Sequence, residues 1–198
     1  MTIRLPVPTL LALTGNPASG KTTLATELSV HYGFERISGS EILKRSIIEI
    51  HEHERPALNT RSDFDIYHRQ WRKRHGIDAM GTYILSLLEL EPEKKLCFEN
   101  ARNEYDVLQL RTAGGIIIAL QCSFEVRLAR ALNRRQDTRL TADIFLREEE
   151  AEYNSPDPLG SHVTKIMQQA DITLDASQPI EKIMQDLISA LTARGMLL

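Results

Sequence analysis

The sequence predicts an α/β protein in three layers, with a five-stranded parallel sheet covered by helices on both faces. Patterns typical of strands and helices alternate along the chain, as expected for parallel strands joined by helical crossovers. The strand patterns are short and almost wholly apolar, which is typical of strands buried on both faces. The length of 198 residues fits one domain, residues 1–198. In such a sheet, ligands bind at the carboxyl ends of the strands.

The strands are predicted from apolar runs that end at turn residues. The first run ends at Gly15, and the fourth, which is the most apolar segment of the chain, follows Gly114 and Gly115. The predicted strands cover residues 9–14, 34–38, 95–99, 116–121 and 171–175.

The helices are predicted from apolar residues spaced three or four positions apart. Ser40 is the expected N-cap of the second helix, whose buried face carries Ile42, Leu43, Ile47 and Ile50. Loops are expected at residues 53–62 and 154–160, where prolines and small polar residues cluster. The predicted helices cover residues 22–32, 40–51, 63–75, 77–90, 103–112, 124–135, 142–153, 163–169 and 179–194.

The composition is that of a soluble globular protein. Apolar residues make up 42% of the chain and charged residues 26%, with a formal net charge of -3. This charge gives no general attraction to nucleic acid or to anionic membranes. The first twenty residues carry no signal-peptide pattern and no apolar run is long enough to span a bilayer, so we expect a cytoplasmic protein without membrane contact. Cys97 and Cys122 lie in apolar runs and are predicted to be buried free thiols.

The motif at residues 15–22 (GNPASGKT) indicates a specific chemical function. It follows a predicted strand and opens a predicted helix, which is the context that a phosphate-binding loop requires. Glycines allow close backbone approach, successive N–H groups bind phosphate oxygens, and the helix N-terminus adds its positive dipole. Lys21 is expected on the β- and γ-phosphates and Thr22 on Mg²⁺, which predicts ATP and Mg²⁺ as cofactors and a P-loop NTPase fold. The nucleotide-binding residues are Gly15, Asn16, Pro17, Ala18, Ser19, Gly20, Lys21, Thr22 and Thr23.

Three further segments resemble known kinases. Residues 32–44 (YGFERISGSEILK) are similar to the adenylate kinase stretch in which the second strand ends in small polar residues. Residues 98–107 and 145–152 (FENARNEYDV and FLREEEAE) are similar to dephospho-CoA kinase and to a largely archaeal family of related kinase-like proteins. The chain thus resembles the nucleoside monophosphate kinase group over most of residues 9–193. The resemblance implies an ATP-dependent phosphotransferase with an acceptor-binding helical region at residues 39–92 and a lid at residues 134–160.

The third predicted strand ends in Glu99, where the resemblance leads us to expect Asp. A carboxylate at this position can hold a magnesium-bound water or take the proton of the acceptor. Alternatively, Glu99 pairs with Arg102 and is structural. We predict a catalytic role for Glu99, together with Lys21.

A run of arginines follows the fourth strand, and Arg127, Arg130 and Arg134 fall on one helical face. The resemblance implies that Arg130 and Arg134 reach the phosphates and act in catalysis as a lid closes. Guanidinium groups suit this role because they stay charged and bind phosphate oxygens in a fork. The alternative is a solvated basic face balanced by residues 148–150, which we favour for Arg127 and Arg139. The run consists of Arg127, Arg130, Arg134, Arg135 and Arg139.

A second basic cluster lies between the second and third strands, with Tyr67 and Trp71 interleaved. It predicts either a pocket for an anionic acceptor, a contact with a nucleic-acid backbone, or an exposed amphipathic helix with Trp71 buried. The cluster contains Arg61, His68, Arg69, Arg72, Lys73, Arg74 and His75.

For the acceptor itself we predict Arg102 first, then Arg69, with Ser38 at the end of the second strand. The spacing of the histidines gives no metal motif, so we interpret His51, His53, His68 and His75 as surface residues.

The leading hypothesis is a kinase that moves the γ-phosphoryl group of ATP to a nucleotide or nucleotide-like small molecule. One alternative is an ATP-hydrolysing regulatory module acting on a macromolecular partner. Another is a kinase that acts on a base or an end within nucleic acid, which the negative charge disfavours. The guanine-binding pattern Asn-Lys-x-Asp is absent, and this favours adenine in the nucleotide.

Overall fold

The sheet of the computed structural model has five parallel strands in the order β2-β3-β1-β4-β5. The structure describes residues 7–48, 61–134, 141–153 and 155–198. The predicted parallel sheet is confirmed, and each strand lies within a residue or two of its expected place. The strands are β1 (Leu10–Gly15), β2 (Phe34–Ile37), β3 (Lys95–Phe98), β4 (Ile116–Gln121) and β5 (Ile172–Asp175).

Helices connect the strands and cover both faces of the sheet. The described part of residues 39–92, which leaves out residues 49–60, forms three helices between β2 and β3, and each lies where the sequence predicts a helix. The helices are α1 (Lys21–Tyr32), α2 (Gly39–Ile48), α3 (Arg61–His75), α4 (Ala79–Leu90), α5 (Glu104–Thr112), α6 (Phe124–Asn133), α7 (Ala142–Tyr153), α8 (Val163–Gln168) and α9 (Ile180–Ala193).

The central strand β1 feeds two separate apolar cores, because successive side chains point to opposite faces of the sheet. Leu11 and Leu13 belong to one core, which packs against α1 and α9. Leu10 and Ala12 belong to the other, which includes residues of α2, α3, α4, α5 and α8. All four side chains are fully buried. Burying one leucine contributes about 1.5 to 3 kcal/mol, so β1 is held firmly with its carboxyl end at the sheet edge.

The start of α2 differs from the prediction. The helix begins at Gly39, and the backbone carbonyl of Ser38 accepts hydrogen bonds from the N–H groups of Glu41 and Ile42. Ser40 therefore lies in the first turn and is not the N-cap. Ile42 and Leu43 are buried, as expected. Ile50 and residues 53–60 of the loop predicted at 53–62 lie outside the described residues, and the prediction is wrong for residues 61 and 62, which begin α3.

The two thiols occupy different environments. Cys97 is fully buried in β3. Cys122, just after β4, is only half-buried, so the prediction of a buried thiol is wrong there. Both cysteines are free.

Across the described ranges, none of the helices combines the length and the apolar character needed to cross a bilayer.

Candidate active site

The phosphate loop joins β1 to α1 at the carboxyl edge of the sheet. Its backbone has positive φ at Gly15 (140°), Ala18 (59°) and Gly20 (99°). A Cβ at Gly15 would lie 2.6 Å from the carbonyl oxygen of Leu120 on the neighbouring strand β4. Since real Cβ atoms do not approach a carbonyl that closely, this position requires glycine. The loop is therefore shaped by its own backbone and by β4.

Lys21 and Thr22 stand at the first turn of α1, beside the loop. The ammonium group of Lys21 donates hydrogen bonds to the carbonyl oxygens of Gly15 (2.7 Å) and Asn16 (2.8 Å). This arrangement holds a positive charge over the backbone that the motif uses to bind phosphates.

Glu99 follows β3 and is buried beside the loop, with 6% of its surface exposed. Its Oε2 accepts a hydrogen bond from the hydroxyl of Thr22 (2.9 Å). Its Oε1 accepts from Arg36 of β2, through Nε (2.7 Å) and Nη2 (2.6 Å). Arg36 is thus an ion-pair partner of Glu99 that the sequence analysis did not consider. Arg36 could not be found from the sequence, because its contact with Glu99 depends on the register in which β2 pairs with β3.

Thr22 and Glu99 together form a donor set suited to Mg²⁺, which prefers hydroxyl, carboxylate and water oxygens. The loop also keeps two buried polar atoms without a hydrogen-bond partner among the described residues, Oδ1 of Asn16 and Oγ of Ser19. Unpaired buried polar atoms are costly and are typical of sites that bind a ligand. The residues present therefore fit both a nucleotide and its metal ion.

Residues of the loop line two cavities, and a third cavity adjoins one of these. The transfer cavity lies directly over the loop, between the loop, the end of β2 and the segment after β3. It contains many of the predicted site residues. Its lining consists of Pro17, Ala18, Ser19, Gly20, Lys21, Thr22, Ser38, Ser40, Glu99, Asn100, Arg102 and Arg134.

The nucleoside cavity lies on the α6 and α9 side of the loop and shares Ser19, Gly20 and Arg134 with the transfer cavity. Thr23, Leu120 and Ile180 contribute to its walls. An apolar wall next to the phosphate loop suits a nucleobase.

Two of the predicted arginines line the nucleoside cavity. Arg130 lines the nucleoside cavity, and its Nη1 lies 3.9 Å from Sγ of Cys122. Arg134, at the end of α6, lines both cavities. Their predicted contact with the phosphates remains a proposal. Arg135 and Arg139 lie outside the described residues.

Arg127 does not lie on a solvated face. It is buried, with 4% exposed, and forms an ion pair with Glu149 of α7. Its guanidinium also packs against the rings of Phe124 (5.8 Å) and Phe145 (6.0 Å). The sequence predicted an acidic partner within residues 148–150, but it did not predict that Arg127 is buried. Arg127 thus fastens the predicted lid helix α7 to α6.

The acceptor cavity opens on the other side of the transfer cavity and shares Ser40, Asn100 and Arg102 with it. Its apolar walls come from α2, α3, α4 and β3. Its full lining is Gly39, Ser40, Leu43, Phe64, Asp65, His68, Arg72, Met80, Phe98, Asn100, Arg102, Asp106 and Ser161.

A buried ion pair supports this cavity. Arg72 of α3 and Asp106 of α5 are each 1% exposed, and the guanidinium donates to both carboxylate oxygens. Asp106 also accepts from the N–H of Gly81 (3.0 Å), and Arg72 donates to the carbonyl of Ile77. The pair therefore ties α3, α4 and α5 together. The predicted exposed basic helix is wrong for Arg72, although Trp71 is buried as that alternative expected.

The predicted acceptor residues divide into two groups. Ser38 and Arg102 line the transfer cavity, where Oγ of Ser38 lies 2.8 Å from Oγ of Ser40. Arg102 donates through Nε to Oδ1 of Asn100 (2.8 Å). Arg69 lines none of the three cavities, because its guanidinium is held by Asp65 (2.7 Å) and Asp157 (3.1 Å).

His68, like Arg72, lines the acceptor cavity in a place that the sequence interpretation did not expect. It was expected on the surface, but its Nε2 is buried and has no hydrogen-bond partner among the described residues. Burial, and then the charges of Arg72 and Arg102, lower the pKa of His68 to about 3. The spacing of Phe64, His68 and Arg72, four residues apart on α3, was the available signal for a shared helix face. His75 is exposed as predicted, and His51 and His53 lie outside the described residues.

The AAA_18 family of AAA domains matches residues 11–155 of the chain. No curated protein sequence matches it. A gluconokinase from Sinorhizobium meliloti 1021 is similar in structure, at 16% identity and a TM-score of 0.53, over 96% of this chain and 95% of that one.

Two further structures are similar. Shikimate kinase from Aquifex aeolicus vf5 matches at 19% identity and a TM-score of 0.53, over 93% of this chain and 96% of that one. A sugar kinase from Janibacter sp. HTCC2649 matches at 18% identity and a TM-score of 0.53, over 94% and 95% of the two chains. At these identities the likeness shows the fold, and the predicted three-layer P-loop NTPase fold is confirmed. ATP with Mg²⁺ is the cofactor pair of P-loop kinases of this fold.

Proposed function

Because the chain belongs to the AAA_18 family of AAA domains, we propose that it is an ATP-dependent kinase that phosphorylates a small molecule. The observation that carries this proposal is the row of three adjoining cavities at the carboxyl edge of the sheet. The nucleoside cavity shares residues with the transfer cavity, which in turn shares residues with the acceptor cavity. A phosphoryl donor and an acceptor can therefore meet over the phosphate loop, with the transferred group between them.

The chain supplies groups of suitable charge around the transfer cavity. Lys21 and the loop N–H groups would bind the phosphates, and Thr22 and Glu99 would hold Mg²⁺, which supplies positive charge next to the transferred group when it is bound. Arg130 and Arg134 approach from the nucleoside side, and Arg102 from the acceptor side. Closure of the lid region over these arginines would exclude water, which otherwise competes as acceptor.

The surroundings of Glu99 favour an acceptor oxygen that is already ionised. Both of its carboxylate oxygens are engaged, one by Thr22 and the other by Arg36. Among the described residues that line the transfer cavity, Glu99 is the sole carboxylate. An alcohol acceptor needs a base to remove its proton, whereas a phosphate near neutral pH does not, since its second pKa is about 6. Glu99 then serves the metal ion, and the acceptor is a phosphate.

These features support a nucleotide or nucleotide-like acceptor, in agreement with the likeness to nucleoside monophosphate kinases. Phosphate fits near Ser38, Ser40 and Arg102, and the apolar walls of the acceptor cavity fit a base. We place the reaction in the cytoplasm, where ATP is supplied.

The test is an acceptor panel with ATP and Mg²⁺, measured by ADP release. The panel contains nucleoside monophosphates, nucleosides, dephospho-CoA, gluconate, shikimate and oligonucleotides. We expect one phosphate-bearing small molecule to stimulate turnover, and Lys21→Ala to lower that turnover by roughly 10² to 10³. Lys94→Ala is the matched control, since Lys94 lies at the surface with Glu35 and Glu91 and should keep full activity.

Stimulation by an alcohol without phosphate would keep the kinase but reject the ionised-acceptor argument. ATP binding without stimulation by any small acceptor would favour the regulatory ATPase instead.

A further inference from the structure

His68 lines the part of the acceptor cavity that the transfer cavity does not share. Its Nε2 is buried without a hydrogen-bond partner among the described residues. Buried polar atoms without a partner are rare in folded proteins, and many of them bind a ligand or a water molecule. Nothing in the phosphoryl transfer itself uses this side chain, so its polar atom needs another explanation.

The charged groups around His68 are arranged in pairs. Arg72 is paired with Asp106 of α5, and Asp65 with Arg69 on α3 itself. Arg102, from the segment between β3 and α5, lines both this cavity and the transfer cavity, so its positive charge lies at the boundary that the two cavities share. The imidazole stays neutral at physiological pH, because burial and the nearby guanidinium groups of Arg72 and Arg102 hold its pKa at about 3.

Apolar side chains form much of the surrounding wall. Leu43 comes from α2, Phe64 from α3, Met80 from α4 and Phe98 from β3. Two aromatic rings and two flexible apolar side chains suit a flat, uncharged body better than a polyol, whose hydroxyl groups each need a partner. The cavity therefore has an apolar wall with one neutral polar atom, and a cationic boundary at Arg102.

We propose that His68 determines acceptor specificity by forming one hydrogen bond from Nε2 to the polar edge of a nucleobase. The base lies against the apolar wall, and the phosphate of the same molecule lies toward Arg102 and the transfer cavity. This inference rests on the proposed kinase function, which it deepens by assigning a base-reading residue.

The experiment measures equilibrium binding by calorimetry, independently of turnover. AMP, GMP, CMP, UMP and ribose 5-phosphate are titrated into wild-type protein, His68→Leu and His68→Gln. We expect the preferred nucleotide to bind His68→Leu about tenfold more weakly, the loss of one hydrogen bond, with partial rescue in His68→Gln. Ribose 5-phosphate, which has no base, should bind all three proteins equally. His75→Leu is the control on the same helix, because His75 is exposed.

Two further readouts separate base reading from a structural role. In His68→Leu, the KM of the preferred nucleotide should rise while kcat stays nearly unchanged. The differences in dissociation constant among the four nucleotides should also become smaller in this variant. The ratio of dissociation constants between wild type and His68→Gln should stay constant from about pH 5.5 to 8, because a neutral imidazole does not titrate there.

Equal nucleotide affinity in wild type and His68→Leu would overturn the inference, and so would wild-type protein that binds ribose 5-phosphate as tightly as nucleotides. Failure of wild type to bind any nucleotide at this site would also overturn it. Binding that depends on His68 without phosphoryl transfer to any acceptor would instead reject the kinase proposal and leave the base-reading role standing.

Discussion

The two ends of the reaction site are built in different ways. The phosphate loop consists of consecutive residues, and its shape depends on backbone angles at Gly15, Ala18 and Gly20. The acceptor cavity draws side chains from α2, α3, α4, β3, α5 and residue 161. A local backbone motif tolerates change in the surrounding helices, whereas a cavity assembled from distant segments depends on the contacts that hold those segments together. The acceptor end should therefore be the more easily broken by side-chain substitutions.

The largest effect should follow loss of the buried carboxylate at the acceptor end. Asp106→Ala leaves Arg72 charged and without its ion-pair partner, which costs about 3 to 5 kcal/mol of unfolding free energy. Urea unfolding followed by circular dichroism measures this loss. The double variant Arg72→Met with Asp106→Leu removes both charges and should recover most of the stability. Equal destabilisation in the single and double variants would show that the ion pair is not what holds the cavity.

The next effect concerns the phosphate loop. Gly15→Ala places a Cβ against the carbonyl of Leu120, at a φ that is unfavourable for alanine. We therefore expect the free energy of unfolding to fall by about 1 to 3 kcal/mol and the affinity for ATP to fall as well. Nucleotide titration and thermal unfolding measure the two losses. Gly114→Ala is the matched control, because Gly114 also has positive φ (79°) but has no atom within 4 Å of the added Cβ. If both variants keep ATP affinity, crowding by β4 does not shape the loop.

Acid should weaken the acceptor end through His68. Its pKa is about 3 in the folded protein and about 6.5 when unfolded, so the unfolded state binds the proton first as pH falls. Stability from the neutral imidazole is complete above pH 6.5 and declines from there toward pH 3. Between pH 7 and pH 5, the free energy of unfolding of the wild type should fall by about 2 kcal/mol more than that of His68→Gln. Parallel stability curves for the two proteins across this range would contradict the burial of the ring.

The smallest effect is expected at Arg69, which the sequence placed at the acceptor. Its side chain is 30% exposed, and its guanidinium is held by Asp65 and Asp157. Exposed pairs of this kind contribute about 0 to 1 kcal/mol, so Arg69→Gln should change stability by less than about 1 kcal/mol. Because Asp65 lines the acceptor cavity, we propose that Arg69 acts by positioning it, with a small rise in KM and unchanged kcat. A large fall in kcat would instead indicate direct contact with the transferred phosphate.

The same contrast explains how far the sequence could predict the site. Lys21, Thr22 and the loop glycines follow from a motif whose spacing is fixed by phosphate geometry. The parallel sheet could also be predicted, because wholly apolar segments such as β4 are stable only when both of their faces are buried. Arg36 could not be predicted, since its contact with Glu99 depends on the register of β2 against β3. Arg72 and His68 were misplaced because a run of basic residues looks solvated, and only the partner Asp106, 34 positions away, reveals the burial.

The unequal burial of the two cysteines has a practical consequence for chemical labelling. Burial raises the pKa of both thiols, and Cys97 is also shut away from solvent inside the sheet. Cys122 is half-buried, and its Sγ lies 3.9 Å from Nη1 of Arg130, a residue that lines the nucleoside cavity. An alkylating reagent used at mildly alkaline pH should therefore modify Cys122 alone. A fluorophore attached there would sit beside the nucleoside and leave the phosphate loop chemically intact, so the native chain already carries a single attachment point for an optical sensor of nucleotide occupancy.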